Sequence, residues 1–243
     1  MLDIYTNPEL YDAIHDGISS DKKMITHYAK KCKGPVLELA AGTGRLAKYI
    51  IDLGLPYTGI DTSKEFIEKA KNRFGDHGEF RIDNMQNFEH SDTYNFIFIG
   101  FNSFLHNLTD NEVNSCITSV YKHLSDDGIF FLSTFIPDPV FLYQGDELHP
   151  ATSYFNYKNK KCRIMEKNTY QEYNQVNHIT WTLEVDKILS TETYTFKQRM
   201  IPPHMMDILL NEGGFAIKEK FGDWDFSILD EFSPMQIYIC KKN

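Results

Sequence analysis

Pro35-Val36-Leu37-Glu38-Leu39-Ala40-Ala41-Gly42-Thr43-Gly44-Arg45-Leu46-Ala47 is the stretch on which the fold turns. A short apolar run closes on an acid, a turn of small residues follows, and an apolar spacing of helical period begins at once. This is the pattern of a buried parallel strand passing through a tight loop into a helix. Gly42 and Gly44 open backbone angles closed to other residues, and they let a ligand approach the main chain. The first amides of a helix point outward unpaired and attract a carboxylate or a phosphate. The stretch therefore predicts a cradle for a cofactor.

Two cofactor classes compete for that cradle. Gly42-Thr43-Gly44-Arg45-Leu46-Ala47 fits the G-x-G-x-x-A dinucleotide fingerprint, and Asp61 follows at about 20 residues, where a ribose-binding acid is expected. Glu38 argues the other way. A carboxylate just ahead of the glycines repels a pyrophosphate, whereas it can organise water or the ammonium of an amino-acid ligand. The stretch resembles motif I of the class I S-adenosylmethionine (SAM) dependent methyltransferases, acid-x-Gly-x-Gly-x-Gly. Ala40 stands where the first glycine is commonest, which implies a tighter turn requirement without loss of binding.

The resemblance implies an α/β fold, a doubly wound and mostly parallel seven-stranded sheet, with SAM as cofactor and S-adenosylhomocysteine as product. It also implies site roles. Glu38, Ala40, Gly42, Thr43 and Gly44 would hold the methionine portion, and Arg45 would reach its carboxylate. Asp61, with Thr62 beside it, would bond the ribose hydroxyls. Asp83, Asn84 and Met85, one strand further on, would meet the adenine. Phe101, at the exit of the fourth strand, would floor the methionine end and face the acceptor.

Composition narrows the partners. A chain of 243 residues with 42% hydrophobic residues can bury a full α/β core and still carry an insertion. Its net charge of -9 is a poor match for phosphate backbones, so nucleic acid is not an expected substrate. Cys32, Cys116, Cys162 and Cys240 are scattered without C-x-x-C spacing. They predict reduced thiols in a cytoplasmic protein, with neither a metal site nor disulfides. The first residues do not begin a signal peptide, and no apolar run is long enough to cross a membrane. A small-molecule acceptor and a monomer or homodimer are the expected partners.

Along the chain, helical spacing over Tyr5 to Lys31 is broken at Gly17-Ile18-Ser19-Ser20, with Asn7-Pro8-Glu9 as a helix start. Strands follow at Tyr57 to Ile60, Glu79 to Ile82, Tyr94 to Ile99 and Ile129 to Phe135, alternating with helices at Leu46 to Leu53, Lys64 to Phe74 and Asp110 to Leu124. That alternation predicts the doubly wound sheet. Between Phe135 and Pro202 the period shifts to two, as in Ile179, Trp181, Leu183, Val185. This predicts an antiparallel insertion of three or four strands after the fifth core strand. A helix from Pro203 and strands at Phe215 to Phe221 and Gln236 to Cys240 close the chain. The expected division is residues 1–135 as N-terminal helices and SAM-binding core, 136–201 as a β lid over the acceptor site, and 202–243 as completion of the core.

No dedicated catalytic motif stands out. Methyl transfer from a sulfonium needs alignment, exclusion of water and, for some acceptors, removal of a proton. His106, a few residues past the fourth strand, and His149, at the mouth of the insertion, are the candidate bases. Tyr11, with Tyr5, is a candidate lid residue, and His178 and Arg199 lie on inserted strands. Rival readings are an NAD(P)-dependent oxidoreductase, a non-catalytic SAM-binding or partner-binding module, and aminopropyl transfer. Tyr154/Lys158 and Tyr157/Lys161 match Tyr-x-x-x-Lys by letter, but they lie across a hairpin pattern where a dehydrogenase needs a helix.

Overall fold

The computed structural model describes residues 2–145 and 147–243. In chain order the elements are α1 (Pro8–His15), α2 (Lys22–Cys32), β1 (Val36–Leu39), α3 (Ala47–Ile51), β2 (Tyr57–Asp61), α4 (Lys64–Phe74), β3 (Glu79–Ile82), β4 (Tyr94–Ile99), α5 (Asp110–His123) and β5 (Leu124–Phe135). Then come α6 (Pro139–Leu142), β6 (His149–Pro150), β7 (Phe155–Tyr157), β8 (Lys160–Gln171), β9 (Val176–Val185), β10 (Ile188–Arg199), α7 (Pro203–Glu212), β11 (Phe215–Phe221) and β12 (Met235–Lys242). They fall into two compact units, Ser19–Ile136 with Ile201–Asn243, and Met1–Ile18 with Pro137–Met200.

The larger unit holds a seven-stranded sheet in the order β11-β12-β5-β4-β1-β2-β3. Strands β1 to β5 pair in parallel, and β12 runs antiparallel to both of its neighbours. Successive strand residues point to opposite faces, and the core follows that rule. Leu37, Leu39, Ile97, Ile99, Phe130 and Leu132 pack with Val113, Ile117 and Val120 of α5 and with Met206 and Leu210 of α7. Val36, Phe96, Phe98 and Phe131 pack on the other face with α2, α3 and α4 through Met24, Tyr28, Ile50 and Ile67. Glu38 shares the alternation of Val36, so this one acid of β1 points into the second layer. The strand order reverses between β1 and β4, and a doubly wound sheet opens its ligand crevice at the strand ends there.

Local signals in the sequence act as read. Asn7 accepts from Leu10 N at the start of α1, Ser63 from Phe66 N at the start of α4, and Thr109 with Glu112 forms a complete capping box on α5. Two expectations need correcting. The helix after the glycine loop begins at Ala47 and is five residues long, because the turn runs on through Leu46; the cradle is therefore loop backbone, not a helix terminus. The fifth strand begins at Leu124 and not at Ile129, because Ser125 to Gly128 bulges out within it, as the shift of register between Tyr94 and Phe96 shows.

The smaller unit is an antiparallel sheet ordered β10-β9-β8-β6, with β7 also pairing β8. It has five strands where three or four were expected, because β6 and β7 are too short to register as alternation. Tight two-residue turns with left-handed Lys158-Asn159 and Asp186-Lys187 join β7 to β8 and β9 to β10. The expected grouping of residues 1–135 also changes. The first eighteen residues group with the inserted sheet, not with the core: Leu2 bridges Tyr194, and Ile4 and Leu10 bury themselves against Cys162, Ile164, Leu183 and Tyr194. Leu10→Ala should cost about 2–4 kcal/mol within this unit. Hydrogen exchange should then quicken across β8 to β10 and stay unchanged in β1, β4 and β5.

Candidate functional site

The loop after β1 is built from alternating left-handed residues, with φ of 56° at Ala40, 58° at Gly42 and 82° at Gly44. Ala40 therefore occupies a conformation that glycine takes without strain, which explains the tightened turn expected there. At Gly44 nothing larger fits, since a Cβ would lie 2.5 Å from the Phe74 ring. Asp61, at the end of β2, ties this loop down. Its Oδ2 accepts from Gly42 N at 2.8 Å and its Oδ1 from Ser63 N at 2.9 Å. Burial pushes the Asp61 carboxyl up, against the amides of Ser63, Gly42 and Thr62, which hold it down.

Glu38 lies 3% exposed at the floor of the loop and accepts from Tyr57 Oη at 2.6 Å. Burial pushes its carboxyl up to about 8, opposed by the Tyr57 hydrogen bond and by the charge of Arg45. Arg45 is committed elsewhere. Its Nη2 and Nη1 grip the buried Asp21 at 2.5 and 3.2 Å, and its guanidinium lies over the Phe101 ring at 4.7 Å. Phe101 and Asn102, at the β4 exit, are both left-handed, a tight turn closed by Ser103 N donating to Gly100 O at 3.1 Å. Asn102 Oδ1 accepts from Phe135 N at 2.8 Å and holds the turn to β5.

At the β3 exit, Asp83 N donates to Asp61 O at 3.0 Å, which sets the two acids on adjacent strand ends. Asp83 Oδ1 accepts from Asn84 N at 2.8 Å, and Asn84 Oδ1 from Gln86 N at 2.9 Å. Met85 sits under Asn107 Nδ2 at 3.5 Å. His90 Nε2 lies 3.5 Å from Asp83 Oδ2, and its ring is pinned by Tyr94 Oη at 2.7 Å. Glu38, Ala40, Gly42, Thr43, Gly44, Arg45, Asp61, Thr62, Asp83, Asn84, Met85 and Phe101 thus all belong to the larger unit, on the exits of β1 to β4.

The catalytic and lid candidates divide. His106 ends the short turn Ser103–His106 in the larger unit, while Tyr11 and His149 belong to the smaller one. There Tyr11 stacks on His15 at 4.2 Å, His15 lies 6.1 Å from Trp181, and Trp181 Nε1 donates to Glu166 Oε2 at 2.7 Å. Asp21, Tyr57, Glu166 and Trp181 escaped the sequence reading. Asp21 followed the break at Gly17-Ile18-Ser19-Ser20 without a signal of its own, and Tyr57 read as an ordinary strand residue. Glu166 carried only one usable signal, an acid on the alternation of apolar residues in its strand.

Residues 37–130 match a family model described as a methyltransferase domain. A Geobacillus sp. (strain WCH70) protein whose name describes it as a methyltransferase is 26% identical over 97% of this chain and 94% of its own length. The CcbJ methyltransferase of Streptomyces caelestis superposes with a TM-score of 0.84 at 18% identity, covering 99% of this chain and 98% of its own. SAM-bound CalS10, an amino pentose methyltransferase from Micromonospora echinaspora, does so with a TM-score of 0.75 at 12% identity, covering 100% and 98%. The fold is that of the class I methyltransferases.

Glu38 has a consequence for stability. Its folded value of about 8 exceeds the ordinary glutamate value near 4.5, so between those values the native state holds a proton that the unfolded chain has released. Stability should therefore fall as pH rises from 5 to 8. Glu38→Gln, which keeps an acceptor for Tyr57 but has no proton to lose, should remove on the order of 2–4 kcal/mol of that fall. Urea denaturation at the two pH values measures it.

Proposed function

We propose that this chain, whose residues 37–130 match a methyltransferase-domain model on the class I fold, is a SAM-dependent methyltransferase that methylates nitrogen or oxygen of a small-molecule acceptor. The observation that carries the cofactor reading is the line of acids on adjacent strand ends: Glu38 on β1, Asp61 on β2, and Asp83 directly after β3. Each matches a donor on SAM, the ammonium, the ribose diol and the adenine amino group. Glu38 fits most tellingly. It is a buried acid whose side chain is hydrogen-bonded by a neutral phenol, that of Tyr57, while Arg45 is held by Asp21. A cation relieves it, whereas a pyrophosphate would worsen it.

In this reading the glycine loop presents its backbone to the methionine portion, and Phe101, braced by Arg45, floors it. SAM supplies an electrophilic methyl on a sulfonium. The protein has to orient the acceptor, exclude water and accept a proton where the acceptor carries one. His106 is the candidate group in the larger unit for that last task, and Tyr11 and His149 in the smaller one. The smaller unit, with its own sheet and polar residues, is assigned acceptor recognition.

Asp61→Ala should weaken SAM binding about 30–150-fold, or about 2–3 kcal/mol, since a charged contact and the anchor of Gly42 are lost together. Calorimetric titration with SAM, S-adenosylhomocysteine and NAD measures this. Tight NAD binding with no response to SAM would overturn the reading. SAM binding at pH 7 should also release protons, because a cation beside Glu38 lowers its raised value. Titration in buffers of different ionisation heat should show the release in the wild type and its loss in Glu38→Gln.

A further inference from the structure

In the smaller unit the register of β6, β8 and β9 sets His149 opposite Glu166 and Glu166 opposite Trp181, so these side chains share one face of the sheet. The indole Nε1–H holds Glu166 Oε2 at 2.7 Å. Two residues along β8 on the same face stands Asn168, and Asn177 of β9 follows diagonally. Asn168 Nδ2 donates to Asn177 Oδ1 at 3.3 Å and to Phe141 O at 3.0 Å. Asn177 is fully buried, and its Nδ2, like the buried Nε2 of His149, has no hydrogen-bond partner among the described residues.

In the other direction the face is hydrocarbon, with Cys162, Ile164 and Leu183 packed under Ile4 and Leu10. The face thus changes midway from sealed core to a strip of polar groups, two of them buried donors or acceptors without partners. Such groups are costly in a folded protein unless a ligand completes them. Charge adds a second argument. Alternation sends Arg163, Lys167, Lys197 and Arg199 to the opposite face, so Glu166 shares its face with no lysine or arginine between Cys162 and Tyr170. Burial pushes its carboxyl up, with the Trp181 hydrogen bond and His149 opposing. A neutral hydroxyl would leave that charge uncompensated; an ammonium would offset it.

We propose that this strip binds the acceptor, that Glu166 takes its ammonium group, and that Asn177 and His149 bond hydroxyls beside it, which makes the acceptor a small polyhydroxylated amine. The assignment rests on the reading of the chain as a methyltransferase of small molecules. Trp181 is a positioning residue here, since it fixes the carboxylate without needing to touch the amine.

The test uses the full-length chain, labelled with 15N and saturated with S-adenosylhomocysteine, and reads the indole N–H signals of its two tryptophans. D-glucosamine should move the Trp181 signal saturably at millimolar concentration and leave Trp224 in place, with D-glucose at least tenfold weaker. In Glu166→Gln, whose amide oxygen still accepts the indole N–H, the preference for the amine over glucose should vanish. Glu166→Asp, which keeps the charge but withdraws it by one methylene, should reduce it and carries the test if the glutamine variant fails to fold. Silence towards glucosamine, equal response to both sugars, or an amine preference that survives in both variants would overturn the proposal. Failure of S-adenosylhomocysteine to bind the wild type would instead overturn the methyltransferase reading, while an amine-selective Trp181 response would still stand.

Discussion

The Asp61 carboxylate pins the larger unit's binding end together. One oxygen holds the Gly42 amide and the other the Ser63 amide, so a single side chain fastens the loop after β1 to the end of β2 and starts α4 in the right place. Through Asp61 O it also receives the amide of Asp83, so the β3 exit is hung on the same residue. Three strand ends are thereby indexed to one another by short hydrogen bonds. The loop's left-handed residues make this possible, because they turn the Gly42 amide towards the acid.

Around that pin the charges are arranged unevenly. Asp21 and Arg45 satisfy each other in a bidentate pair that is nearly sealed from solvent, and such a pair is stable only because both members are present. Glu38 is hydrogen-bonded by Tyr57, and burial, which outweighs that bond, pushes its carboxyl up to about 8.

Much of this was legible in the sequence, and the parts that were not share a cause. The alternation of apolar strands and capped helices gave away the order of the core, since each signal is local: Ser63 three residues before Phe66, Thr109 three before Glu112. The acids at strand ends were equally visible, as Glu38, Asp61 and Asp83 each close a short apolar run. The pairing of Arg45 was hidden because its partner Asp21 lies 24 residues earlier. The grouping of the first eighteen residues with the inserted sheet was hidden for the same reason. Leu2 meets Tyr194 across most of the chain, and no periodicity reports such a pairing.

Backbone strain marks the same place as the charges. Among the described residues of the larger unit, Lys33, Ala40, Phe101, Asn102 and Phe226 are left-handed without being glycine, and three of the five, Ala40, Phe101 and Asn102, sit on the exits of β1 and β4, where the strand order reverses. Each such residue costs on the order of 1 kcal/mol, and a bulky one such as Phe101 is especially disfavoured. What holds Phe101 is the guanidinium over its ring, and what holds Asn102 is the amide of Phe135 on its side-chain oxygen. These are fixed contacts to buried elements, so the two exits cannot relax independently of the core. The conformations of both exits are accordingly set by the folding of the core.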